Sequence, residues 1–292
     1  KHYHLEPKSL YKFTTLEELV LGDDYKEHNE NAVDFNKMSR IFYKLSDVNS
    51  IEWIDFLLNY LEKPRKKVSS REKNMLLMFY YTLHKKPLQC DVVMYLYKFV
   101  NNNPSMVNEI LALLRFNRER LDHYPKPVVL SKEVPLELHS FYTVDQVLSA
   151  VGVHSEGKLV SFREGVKYLP HHECDLFFIT LNKNEKQYQK TTMYEDYPIS
   201  ETLFHWQSQS RTSVESPTGQ RYIQQKTNGN RVLLFVREHK NDENRMTMPY
   251  RCLGFADYVS HEGTKPISIT YKLQDPMPVA IYRESAKILK VI

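Results

Sequence analysis

Tyr194-Glu195-Asp196 and, a few residues later, Leu203-Phe204-His205-Trp206 bring two large rings and an acid pair into one short stretch. A planar, uncharged heterocycle is held by two aromatic faces, and a carboxylate accepts hydrogen bonds from the amino group on its edge. Nucleobase binding is the chemistry this set predicts. Tyr194 and Trp206 would be the rings, Asp196 the first choice of acid and Glu195 the second. The same rings also read as ordinary core filling, because aromatics are common in β cores.

A flipped base leaves a gap in the duplex, and the phosphates beside it need partners. Gln207, Ser208, Gln209 and Arg211 follow the pocket directly, and Arg221, Lys226 and Arg231 flank it. These seven are the expected groove and backbone contacts. Each cation taken singly also reads as ordinary surface charge.

Other spacings allow other chemistry. Glu238-His239-Lys240 is an E-x-K triplet at the end of an expected strand, where a period of two places Glu238 and Lys240 on one face. A metal-dependent nuclease uses such a carboxylate and such a lysine, with a third group, an upstream acid such as Glu215, which no readable spacing places beside them. His171-His172-Glu173-Cys174 has no second ligand pair at a standard spacing and reads as a turn. Asp257, Tyr258 and His261 have no nucleophile beside them, and no phosphate loop stands in the chain. No catalytic residue and no metal site is assigned, and no cofactor is expected for this chain alone.

The whole composition sets the limits. With 41% hydrophobic and 26% charged residues in 292, the chain can bury the core of one large or two ordinary domains. A net charge of +4 permits a nucleic-acid partner without demanding one. Cys90, Cys174 and Cys252 lie far apart, as expected of reduced thiols in a cytoplasm. No apolar run approaches the roughly 20 residues that span a bilayer, and no leader pattern opens the chain, so no membrane partner and a cytoplasmic location are expected. The start Lys1-His2-Tyr3-His4 lacks a methionine, the expectation for a segment of a longer polypeptide.

The elements that must position these residues fall into two parts. Thr15-Leu16-Glu17-Glu18 reads as a helix start, and helical periods run over Ala32 to Leu45, Ser50 to Leu61, Ser70 to His84, Leu88 to Val100 and Ser105 to Asp122. Short breakers between them predict an N-terminal helical bundle over residues 1–125. Its cations Lys63, Arg65, Lys66, Lys67, Arg71 and Lys73, with Arg115, Arg118 and Arg120, read as solvated surface or as phosphate contacts. The prolines from Pro125 to Pro135 mark the boundary, and residues 126–292 form a second, β-rich domain. There Thr143 to Ala150 reads as one helix. Val166 to Leu169, Asp175 to Leu181, Gln220 to Gln224, Arg231 to Glu238, Tyr250 to His261 and Pro266 to Leu273 read as strands, with Asn228-Gly229 as a hairpin turn. The fold class is therefore α+β, its second part a mostly antiparallel sheet, strongly curved or barrel-like.

Four ordered segments carry a family resemblance: Leu203 to Ser210, Ser216-Pro217-Thr218-Gly219, Val232 to Glu238, and Tyr250 to Gly254. They resemble the C-terminal domain that trails superfamily 2 helicases in bacterial restriction enzymes with a phospholipase-D-type nuclease at the N-terminus, within that group the methylation-dependent type IV enzymes. The resemblance implies that the helical part is a coupler and that residues 126–292 read 5-methylcytosine or 5-hydroxymethylcytosine in duplex DNA by base flipping. Tyr194-Glu195-Asp196 and Leu203-Phe204-His205-Trp206 are also similar to the tyrosine, acidic run and aromatic strand of SET-and-RING-associated readers. Tyr197 stands where those readers have a further Asp, and Ser and Gln replace their turn glycines. The implied partners are modified duplex DNA and the helicase and nuclease domains of a parent enzyme, with ATP and a divalent metal needed only by that whole enzyme, which an oligomeric state would suit. The chain alone is expected to bind and not to cut. The alternatives are the nuclease built on Glu238 and Lys240, and a protein-interaction module in which Trp206 packs into the core.

Overall fold

The structure, a computed structural model, describes residues 6–11, 35–121, 124–181, 196–279 and 282–283. The chain divides into two compact units, Lys1–Ser161 and Phe162–Ile292. No helix among the described residues is long and apolar enough to cross a membrane.

In the first unit, helices span Phe35–Leu45, Ile51–Glu62, Ser70–Leu83, Val92–Asn102, Pro104–Glu119 and Val144–Ala150. The Thr15 helix start lies outside the described residues. Ser70–Leu83 begins at a capping box, in which the Ser69 side chain takes the Glu72 N–H and Glu72 reaches back to Ser69. Every residue from Met75 to Leu83 is buried. A helix apolar all round is the central member of a bundle, and Trp53 ties it to its neighbour by donating to the Met75 carbonyl at 3.1 Å.

Residues 126–161 fold with these helices, which moves the expected boundary after Pro125 to Ser161/Phe162. The Arg71 guanidinium donates to the carbonyls of Val134 at 2.7 Å and Lys132 at 3.1 Å. Asn74 donates to the Glu133 carbonyl, and the Tyr81 hydroxyl to that of Ser155 at 2.7 Å. The last part of the proline-rich stretch, Lys132 to Val134, is tied down by helix side chains.

The second unit holds strands β1 (Val166–Leu169), β2 (Cys174–Thr180), β3 (Tyr197–Pro198), β4 (Leu203–Gln207), β5 (Arg231–Arg237), β6 (Tyr250–Glu262) and β7 (Ser268–Leu273). Within this unit they lie in the order β1-β2-β5-β6-β7-β4-β3. Only β2 and β5 run parallel, so the sheet is mixed and mostly antiparallel. Among the described residues the sheet is not closed, so of the strongly curved or barrel-like sheet expected from the sequence the barrel-like form is not shown.

The open sheet nevertheless curls. β2 and β4 are separated by β5, β6 and β7, a span of about 19 Å in a flat sheet at roughly 4.8 Å per strand. Phe177 of β2 and Trp206 of β4 still meet with ring centroids 4.2 Å apart, and Phe177 and Tyr271 of β7 meet at 5.8 Å. The concave face so formed carries the core, with Phe204, Leu234, Leu253 and Ile269 also buried in it.

Two expected elements differ. Gln220 to Gln224 is not a strand, because Ser216 caps a helix over Pro217–Ile223 by accepting the Gly219 N–H at 3.0 Å, with Pro217 in the first turn. Asn228-Gly229 is not a hairpin turn: it closes a four-residue helix, Gln225–Asn228, with Gly229 at φ 71°.

Candidate nucleic-acid interface

β4 alternates, with Phe204 and Trp206 turned to the core and Leu203, His205 and Gln207 half-buried on the other face. The short edge strand β3 pairs with it, Tyr197 opposite His205 and Pro198 opposite Phe204. Continued by one residue, this register sets Asp196 opposite Trp206. The Asp196 carboxylate confirms the alignment by accepting the Gln207 backbone N–H at 2.9 Å. Both inward residues are nearly hidden, Asp196 7% and Trp206 5% exposed. On the outer face Tyr197 and His205 stack at 4.7 Å with planes 15° apart.

The indole has company on several sides. Phe177 lies at 4.2 Å and 37°, and Tyr222 meets it edge-on at 5.3 Å. Tyr271 is 6.4 Å away. Burial pushes the Tyr271 hydroxyl well above its ordinary value, and its oxygen has no hydrogen-bond partner among the described residues. Tyr194 and Glu195 lie outside the described residues, so of the four expected pocket residues the structure brings together Asp196 and Trp206.

The expected DNA contacts separate into exposed and engaged groups. Gln209, Arg211 and Lys226 are exposed. Ser208 is fully buried and acts as a strand residue, donating its N–H to the Ile267 carbonyl at 2.9 Å and accepting the Ile267 N–H on its hydroxyl at 2.8 Å. That burial removes Ser208 from any DNA contact. Gln207 donates to the Ser268 hydroxyl at 3.2 Å. Arg231 is half-buried, donating to the His172 carbonyl at 3.1 Å with its guanidinium over Phe255.

Arg221, expected at the DNA backbone, is instead engaged within the unit. Its guanidinium grips the carboxylate of Asp175 by two bonds, 2.7 Å and 2.9 Å, and lies 4.0 Å over the Tyr168 ring. Asp175 is fully buried in β2, and Asn230 adds a third donor at 2.9 Å. Desolvation opposes the charge on Arg221, yet the Asp175 bonds and charge outweigh it and hold its pKa above the ordinary guanidinium value. Asn230 is turned so that its side-chain amide oxygen is buried without a hydrogen-bond partner among the described residues. Sequence reasoning missed Asp175 and Asn230. The signal was Asp175 itself, a charge inside the otherwise apolar run Cys174 to Ile179, where a buried acid demands a paired cation.

The other constellations are looser. β5 ends at Arg237, so Glu238 and Lys240 lie beyond the strand, and the same-face argument for a nuclease does not hold there. Both are exposed, and Glu238 is 3.3 Å from the imidazole of His239. Among the described residues no group of three His, Cys, Asp or Glu side chains is placed to hold a metal ion. His171 and His172 form the expected turn before β2. The Tyr258 hydroxyl meets the His261 ring nitrogen at 2.6 Å, because a bulge between Tyr258 and Ser260 breaks the alternation of β6.

In the helical unit most of the expected cations are paired: Arg65 with Glu72, Arg71 with Glu52, Lys73 with Asp91 and Glu156, Arg115 with Glu62, Arg118 with Asp55 and Arg120 with Glu6. These are surface charges answered by the chain itself.

No curated protein matches the chain. The family model described as a domain of unknown function (DUF3427) matches residues 136–285, which takes in the whole sheet, the Asp196–Trp206 pair and the last helix of the first unit. With just over half of its residues inside that match, the chain belongs to the DUF3427 family.

Proposed function

We propose that the Phe162–Ile292 unit binds duplex DNA and recognises 5-methylcytosine or 5-hydroxymethylcytosine as a flipped base, in the manner of SET-and-RING-associated readers. The observation that carries this reading is the pairing of a nearly buried carboxylate, Asp196, with the indole of Trp206 across two hydrogen-bonded strands. Burying a carboxylate on an apolar face is unfavourable and is common where a polar ligand edge is to be read. Trp206 is the back wall of the site, its other surroundings being Phe177 and Tyr222, and Tyr194, two residues before Asp196, supplies the stacking face. Extruding a base costs a few kcal/mol and a stacking face returns about 1–3 kcal/mol. One methyl group adds about 0.8 kcal/mol, a factor of about four, so discrimination by the pocket alone is modest. Gln209, Arg211 and Lys226 are the exposed groups that meet the duplex.

In this reading the chain is the recognition region of a modification-dependent type IV restriction enzyme, with the helical unit coupling it to helicase and nuclease domains that use ATP and a divalent metal. The chain itself binds without cutting. A second reading, a protein-interaction module, is favoured by the contacts of Phe177, Tyr222 and Tyr271 around Trp206, which suit a purely structural indole. Binding to paired duplexes that differ in one 5-methylcytosine, without metal, separates the two: preference for the methylated duplex supports the reader, and no binding to either supports the interaction module.

A further inference from the structure

The short helix Pro217–Ile223 crosses the concave face of the sheet and is held there at three places. At Gly219 it sits so close to the preceding loop that an added Cβ would fall 2.0 Å from the Ser213 carbonyl oxygen and 3.1 Å from the Ile267 side chain. Just beyond its end, the Gln225 side chain donates to the Ala256 carbonyl at 2.7 Å and accepts the Tyr258 N–H at 2.6 Å, taking the place of a neighbouring strand. Between these points Arg221 locks onto the buried Asp175.

The next residue, Tyr222, packs edge-on against both Trp206 and Phe177. Asp175 and Phe177 are two apart on β2 and so share a face. The carboxylate that receives Arg221 and the ring that touches Trp206 therefore stand on the same side of one strand. A guanidinium fork is suited to gripping that carboxylate because its two parallel bonds fix direction as well as distance, which a lysine ammonium cannot do.

We propose that Arg221 is a positioning residue for the base site: gripping Asp175, it fixes Tyr222 against Trp206 and thereby shapes the wall behind the flipped base, without touching DNA phosphate. The inference rests on the reading of Asp196 and Trp206 as a base pocket. It also sets Arg221 apart from a phosphate contact, because the two roles differ in what they do to discrimination and to salt dependence.

The test compares the intact chain with Arg221→Lys. Binding is followed by fluorescence anisotropy at two salt concentrations on identical duplexes with and without one 5-methylcytosine, and tryptophan emission is recorded on the folded proteins. Trp53, in the other unit, contributes the same background to both. The expected result is a folded variant with red-shifted Trp206 emission, a methylated-to-unmethylated affinity ratio that falls to near one, and an unchanged salt slope. A lowered melting temperature with emission and ratio unmoved would make the pair merely structural and overturn the proposal. Arg221→Gln, which unlike the lysine variant removes the charge, tests the phosphate role: equal weakening on both duplexes with a salt slope smaller by about one would overturn the proposal in favour of a phosphate contact. If the wild-type chain itself shows no preference, the base-pocket reading falls, and emission alone decides whether Arg221 places Tyr222 against Trp206: a shift supports that placement and its absence overturns it. Should Arg221→Lys not fold, Tyr168→Leu, which removes the ring 4.0 Å from the guanidinium, is read by tryptophan emission and the affinity ratio.

Discussion

Trp206 and Phe177 touch, with ring centroids 4.2 Å apart, although three strands stand between theirs in the sheet. The contact reports the curl of the sheet and is part of the surroundings of the candidate base site. Mutating either ring tests fold and function together, and the two effects have to be read apart.

Trp206→Ala should destabilise the Phe162–Ile292 unit by about 3–5 kcal/mol, the usual range for deleting a large buried ring. Urea unfolding followed by far-UV circular dichroism measures it. A loss below about 1 kcal/mol would mean that the indole is not part of the core.

Gly219→Ala should destabilise as well, by about 1–3 kcal/mol, because the new methyl meets backbone, the Ser213 carbonyl, and not the yielding end of a side chain. Thermal unfolding compared with Gly229→Ala serves as a control of a different kind. Gly229 has open space around it but a φ of 71°, so its penalty comes from backbone strain alone.

The helical first unit was largely legible in the sequence, and for a physical reason. Caps such as Ser69 with Glu72 and Thr143 with Gln146 are local, and a three-and-four period survives whatever surrounds it. Strands β1, β2, β5, β6 and β7 were legible from their β-branched and aromatic runs. Pro217–Ile223 was not, because Tyr222 and Ile223 suggest a strand and Ser216-Pro217-Thr218-Gly219 suits a turn as well as a helix start. The site was half legible. Aromatic and acidic residue types pointed to Asp196 and Trp206, yet nothing local reveals that Phe177, far away in the chain, lies on the indole, or that Arg221 is bound to Asp175.

Asp175→Ala should cost about 3–5 kcal/mol, since it leaves the Arg221 guanidinium half-buried without its carboxylate and Asn230 without its acceptor. Chemical denaturation measures this. A near-neutral effect would show that Arg221 reaches solvent freely.

Acid should weaken the first unit through Asp145. Burial alone would push its carboxyl up, but the hydrogen bond to His154 and the charge of Lys85 outweigh burial and hold it down at about 2. A carboxylate depressed in the folded state adds stability that is complete above its unfolded value near 4 and is lost as pH falls toward 2, here about 2 kcal/mol. Melting of the wild type between pH 5 and pH 2 should show this loss, and Asp145→Asn should flatten it. An equally steep loss in Asp145→Asn would assign the acid sensitivity to other groups.

The most direct measurement of the central claim is anisotropy binding of the intact chain, and of Asp196→Asn, to duplexes identical except for one 5-methylcytosine. It is made without metal and at two salt concentrations. Binding should be salt-sensitive and severalfold tighter to the methylated duplex, and Asp196→Asn should lose that preference while retaining general DNA affinity. Equal affinity of the wild type for both duplexes, or a preference untouched by Asp196→Asn, would contradict that claim.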